Sequence, residues 1–129
     1  MPDIILIAHN IRSTHNVGSL FRTADGFGVS RIILSGYTPY PTIAADKRLP
    51  HIRDKLTRQI HKTALGAEQI VPFEYADFPP LSSLKKDGYR IVALEQADRS
   101  TSLASYSAPE KVALVIGEEV DGIAPDLLK

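Results

Sequence analysis

Five short apolar runs rich in β-branched residues punctuate the 129-residue chain: "IILIA" (4–8), "RIILSG" (31–36), "QIVPF" (69–73), "YRIVALE" (89–95) and "KVALVIG" (111–117). Several are apolar at nearly every position, the pattern of strands covered on both faces. Helix-compatible segments lie between them, at roughly 14–27, 54–67 and 80–87. In the second, Leu56, Ile60, Ala64 and Ala67 fall on one face, and "LG" at 65–66 marks its end. Strands alternating with helices predict an α/β fold with a mostly parallel sheet flanked by helices. The length suits one domain, residues 1–129, which can bury roughly two thirds of its extended-chain surface. A hydrophobic fraction of 43% argues against disorder.

Several chemistries are set aside. With no cysteine there is no disulfide, thiolate nucleophile or thiolate metal site. No run approaches the ~18 apolar residues of a membrane span, and "MPDIILIAHN" lacks the marks of a signal peptide, so no membrane association is expected and cytoplasm is the default location. "GFGVSR" at 26–31 follows a helix and precedes a strand, the wrong context for a dinucleotide fingerprint. His9, His15, His51 and His61 show no metal-ligand spacing, and no metal is expected.

Net charge is zero, but its distribution is uneven. Residues 46–62, "DKRLPHIRDKLTRQIHK", carry net +4, enough for a local polyanion contact. Arg48, Arg53, Arg58 and Lys62 are the candidate contacts to the phosphates of such a polyanion. A solvated helix face is the competing reading. The preceding loop, "SGYTPYPTIAADKRLPH" (35–51), is long for a structureless connector, and such loops often carry function.

Two constellations stand out. In the first helical segment Val17, Leu20, Phe21, Ala24 and Gly28 stack on one face, which puts Arg22 nearly opposite. On that helix alone, Arg22 reads as a solvated residue, with Asp25 at i+3 as the ion-pair partner that the spacing allows. The second is "VIGEEVDGI" (115–123), a glycine and acids following a buried strand. In open α/β sheets ligands bind beyond the carboxyl ends of the strands, and a glycine there admits a ligand to the backbone. A tight turn with solvated acids is the alternative.

"NIRSTHNVGSLFRTADGFGV" (10–29) resembles motif 1 of the SpoU (TrmH-like) RNA 2′-O-ribose methyltransferases of the SPOUT superfamily, and "LVIGEEVDGI" (114–123) resembles their motif 2. "LSGYTPYP", "HKTALGAE" and "IVALEQ" are similar to intervening segments, so the likeness covers nearly the whole chain. The resemblance implies a SPOUT (alpha/beta knot) fold, S-adenosyl-L-methionine (AdoMet) as cofactor, a ribose hydroxyl of tRNA or rRNA as substrate, and a homodimer. By motif position Asn16, Arg22 and Glu119 would be active-site residues, with Leu94 and Gly117 lining the cofactor pocket. Arg22 would be either a general base or a charged clamp on a phosphate and the developing alkoxide.

The family carries a third motif after motif 2, a strand and a "SLN" segment threaded into a trefoil knot, one of the rare exceptions to unknotted topology. This sequence ends at Lys129, with "PDLLK" reading as a helix start. The expectation is a domain truncated at its C-terminus, either a fragment of a longer protein or a shortened version, lacking the knot-forming segment and binding cofactor weakly or not at all. The alternative function is a non-catalytic RNA-binding or dimerisation module that keeps the fold.

Overall fold

The computed structural model describes residues 3–94 and 111–117. Within them the chain forms β1 (Asp3–His9), α1 (Thr14–Phe27), β2 (Arg31–Ser35), α2 (Pro50–Ala64), a 3-10 turn (Ala67–Gln69), β3 (Phe73–Ala76), α3 (Leu81–Lys86), β4 (Arg90–Leu94) and β5 (Lys111–Ile116). The strands make one parallel sheet in the order β3-β2-β1-β5-β4. Glu119 and the segment "PDLLK" lie outside the described residues.

The all-apolar strands behave as their composition demands. Ile5, Leu6, Ile7 and Ala8 of β1 are fully buried, because the sheet is covered on both sides. Leu6, Ala8, Ile32, Leu34 and Ile116 pack against α1 and α2, while Ile5, Ile7, Ile33, Ala113 and Val115 meet α3. This is the layering that parallel sheets require. α1 spans the expected 14–27: Ser13 caps it by accepting from the Asn16 amide, and Gly28 closes it at φ 70.

Two boundaries differ from expectation. The run "QIVPF" is not a strand from its start: Ala67–Gln69 is a 3-10 turn, Val71 is buried in the α1/α2 core, and β3 begins at Phe73. The ladder starts late because Pro72 has no N–H to give; its carbonyl instead accepts from Ile32 N at 2.9 Å. α2 begins at Pro50, four residues earlier than expected, since a proline is well suited to the first helical position. It stops at Ala64, with Leu65 left-handed at φ 53 and Gly66 following at φ 98.

The sheet order fixes where a ligand could bind. Chain order runs outward from β1 through β2 to β3, then crosses to the opposite edge for β4 and β5. The crevice between β1 and β5, at their carboxyl ends, is therefore the topological switch point.

α1 and α2 cross at Gly18. A Cβ there would stand 1.9 Å from Thr63 Oγ1 and 2.4 Å from the backbone oxygen of Ile60. Thr63 Oγ1 is itself held, donating to the carbonyl of His15 at 2.8 Å. Gly18→Ala should thus destabilise despite its better helix propensity. An overpacking cost of about 1–3 kcal/mol opposes a gain of about 1 kcal/mol, and urea denaturation should show the net loss.

Candidate active site

Two regions carry the candidate residues. The first is the carboxyl edge of the sheet. In the β4–β5 register Leu94 stands opposite Ile116, so Leu94 and the buried Gly117 close adjacent strands beside the switch point. The two residues that the resemblance assigned to a cofactor pocket are brought to one edge, although 23 positions of sequence separate them. Across β1 the same edge is built from interlocked turns. Asn10, at φ 56, donates its N–H to the Ser35 carbonyl and accepts from Tyr37 N through Oδ1 at 3.1 Å. Gly36, at φ 66, has no room for a side chain: a Cβ would lie 1.8 Å from Asn10 Oδ1. Thr38 Oγ1 accepts from Ile11 N and donates to the Ala8 carbonyl, and His9 Nδ1 lies 2.9 Å from Ser35 Oγ. His9 is therefore a buried structural group.

The second region is the outer side of the α1/α2 pair. Ser19, Arg22 and Thr23 of α1 line an open groove of about 420 Å³ with Lys62 and Thr63 of α2 and the following Leu65. The carbonyl of His15 accepts from both Ser19 Oγ and Thr63 Oγ1, tying the groove's two walls together. Arg22 is exposed, and the i+3 ion pair with Asp25 that the spacing allows does not form; neither Arg22 nor Lys62 meets a carboxylate among the described residues. Two unpaired cations framed by hydroxyl groups make an anion-attracting surface. Asn16 sits half-buried in the first turn of α1, about 9 Å along the helix axis from Arg22.

The four cations of the basic segment have different fates. Arg48 is spent inside the loop before α2. Its Nε and Nη2 donate to the Asp46 carboxylate, Nη1 to the Tyr40 carbonyl and Nη2 also to the Pro41 carbonyl. Its guanidinium lies 3.6 Å from the Tyr40 ring centroid, and Tyr40 in turn stacks on Tyr75 at 4.3 Å. With its donors so occupied, Arg48 is a loop clamp and leaves the phosphate-contacting set. Arg53 is half-buried, donating from Nη1 to the Asp46 carbonyl at 3.2 Å with Nε 3.9 Å from Asp54. Arg58 and Lys62 reach solvent.

Sequence spacing did not reveal this clamp, because Tyr75 lies 27 positions from Arg48. It also missed the pairing of His61 Nδ1 with the buried Glu68 carboxylate at 2.6 Å, which with Gly66 N–H on Glu68 Oε1 closes the C-terminal turn of α2. Among the described residues no group of three or more His, Asp or Glu side chains is placed to hold a metal ion. No helix there is long and apolar enough to cross a membrane.

The fold is that of SPOUT methyltransferases. Over 98% of this chain and 43% of the other, it superposes on an AdoMet-bound rRNA methyltransferase from Sinorhizobium meliloti with TM-score 0.68 at 21% identity. Over 99% of this chain and 58% of the other, it superposes on the Aquifex aeolicus TrmH/SpoU tRNA modifying enzyme with TM-score 0.64 at 22% identity. The SpoU rRNA Methylase family model matches residues 3–129, and the chain belongs to that family of RNA methyltransferases. Its relatives include the 23S rRNA (guanosine-2′-O-)-methyltransferase RlmB of Neisseria meningitidis, 30% identical over 95% of this chain. Another is the tRNA (guanosine(18)-2′-O)-methyltransferase of Aquifex aeolicus, 26% identical over 98% of it. The chain spans 44% and 54% of these relatives' lengths.

The Asp46 carboxyl is held well below its ordinary value of 3.8, first by the Arg48 side chain and then by the amides of Arg48 and Ile43. A depressed carboxylate contributes stability that is fully present above its unfolded value and is lost as pH falls through the folded one. Asp46→Asn should therefore destabilise near about pH 7, and its deficit against wild type should shrink by about pH 3. Denaturation at the two pH values checks this.

Proposed function

We propose that the chain is an AdoMet-dependent methyltransferase acting on a ribose 2′-hydroxyl of tRNA or rRNA, as a cytoplasmic homodimer. The observation that carries this reading is the groove on the outer face of α1 and α2 in which Arg22 and Lys62 meet no carboxylate among the described residues. In this reading α1 presents Arg22 to the backbone of the RNA. Names of relatives as tRNA and rRNA 2′-O-methyltransferases support the enzyme over a module that only binds.

Residues at the carboxyl edge fit the cofactor. The buried Gly117 has no side chain to keep a ligand from the backbone, and Leu94 ends the neighbouring strand beside the switch point. When bound, AdoMet supplies an electrophilic methyl group on its sulfonium. The chain's own task is to hold the ribose in line and to stabilise the hydroxyl as it loses its proton. Arg22 does this as a charged clamp: its planar fork of donors suits a phosphate oxygen pair and lowers the cost of a developing alkoxide. Asn16, at the head of the same helix, orients the nucleotide, and Glu119 completes the set by its place in motif 2.

Arg22→Ala should abolish methyl transfer from labelled AdoMet to RNA. Its stability should change by under about 0.5 kcal/mol, as for other exposed substitutions. Near-normal turnover in that variant would remove Arg22 from the site. Neutralising Arg58 and Lys62 together should reduce the slope of log affinity against log salt by about 1.4–1.8, as expected for two lost phosphate contacts. An unchanged slope would make them a solvated face.

A further inference from the structure

At the carboxyl edge, the turn 35–38 is fastened from every side and displays an aromatic ring at the surface. Thr38 N bonds the Ser35 carbonyl, Gly36 N bonds the Asp77 carbonyl, and Tyr75 Oη donates to the Gly36 carbonyl at 2.6 Å. Asn10 Oδ1 receives Tyr37 N, and both Asn10 and Gly36 are held left-handed to allow it. A non-glycine residue in that region costs about 1 kcal/mol and persists where its surroundings over-determine it. The residue displayed by all this is Tyr37, 45% exposed, with the Arg12 guanidinium 5.3 Å from its ring centroid. Phe27 and Phe78 are more exposed, but among the described residues neither carries a cation on its ring. The two other cation–ring pairs among the described residues use half-buried rings, Tyr40 and Tyr89.

We infer that Tyr37, backed by Arg12, is a stacking platform for an unpaired base of the RNA, flanking the nucleotide that is methylated. The inference rests on the RNA methyltransferase reading above and adds to it a contact to a base, where the cations contact phosphates. Stacking on an aromatic face accepts any base, because every base has a π-face, and an adjacent guanidinium adds a second planar surface and a positive charge. The platform's position suits this role. Tyr37 follows β2, while Gly117 follows β5, with β1 between them. That separation of two strand spacings, about 10 Å, is within the reach of a few nucleotides. Because the turn is already rigid, little ordering is left for the RNA to impose.

The test uses a short single-stranded RNA oligonucleotide carrying 2-aminopurine. Its fluorescence should be quenched on binding the wild-type chain. Tyr37→Phe should keep both quenching and affinity. Tyr37→Ala should lose the quenching and about ten- to hundredfold in affinity, with its salt slope unchanged because no phosphate contact is removed. Melting temperature is measured for all variants; if Tyr37→Ala loses the fold, folded Arg12→Gln decides, weakened quenching supporting the platform and unchanged quenching and affinity overturning it. Undiminished affinity and quenching in folded Tyr37→Ala overturn the platform alone, as does a change in self-association without change in RNA binding. No binding of RNA by the wild-type chain overturns the RNA reading and the platform together.

Discussion

The crossing of α1 over α2 at Gly18 is the contact on which the outer face of the molecule depends. Backbone meets backbone there, with the Ile60 carbonyl in the space a side chain would occupy. Both helices then reach the same side of the sheet, where Val17, Leu20, Phe21 and Ala24 share a core with Ile60 and Ala64. The same closeness puts Lys62 and Thr63 on the opposite wall of a groove from Arg22. A bulkier residue at position 18 would prise the walls apart as well as loosening the core. The glycine of "HNVGSLFR" thus belongs to the site through packing.

Burial of the central strands explains why so much of the architecture was legible in the sequence. A strand covered on both faces must be apolar at every position, and "IILIA" and "KVALVIG" are. α1 announced itself through its periodic apolar face, and its bounds matched, with the Ser13 cap and the left-handed Gly28 fixing its two ends. β3 was misjudged because apolarity does not say which layer receives a side chain. Val71 is as apolar as a strand residue but packs beneath the helices, and Pro72 delays the ladder.

The site was legible in another way. Arg22's direction followed from helical geometry, whereas Leu94 and Gly117 were nominated by the family resemblance, and the β4–β5 register then sets them at one edge of the sheet. Charge counting went astray at Arg48, because a sum over residues 46–62 does not say which cations the fold consumes. Asp46, two positions away, could be suspected from sequence. The Tyr40 ring and the carbonyls of Tyr40 and Pro41 could not, since their approach depends on how the loop folds back. Tyr37 went unremarked for the same reason, its ring lying near Arg12 only once β1 and β2 are paired.

The stack of Arg48, Tyr40 and Tyr75 has a further consequence. Tyr75 belongs to β3, an outer strand paired on one side to β2. Its ring supports the loop before α2, and its hydroxyl grips the turn after β2. Edge strands are the parts of a sheet most prone to fray or to recruit foreign strands. Here, peeling β3 away would also release the loop and the turn, so the small losses of each are added into one larger opening. The periphery of the sheet is thereby made cooperative: its three pieces open as a unit, and a weak edge takes on the resistance of a much longer segment of chain.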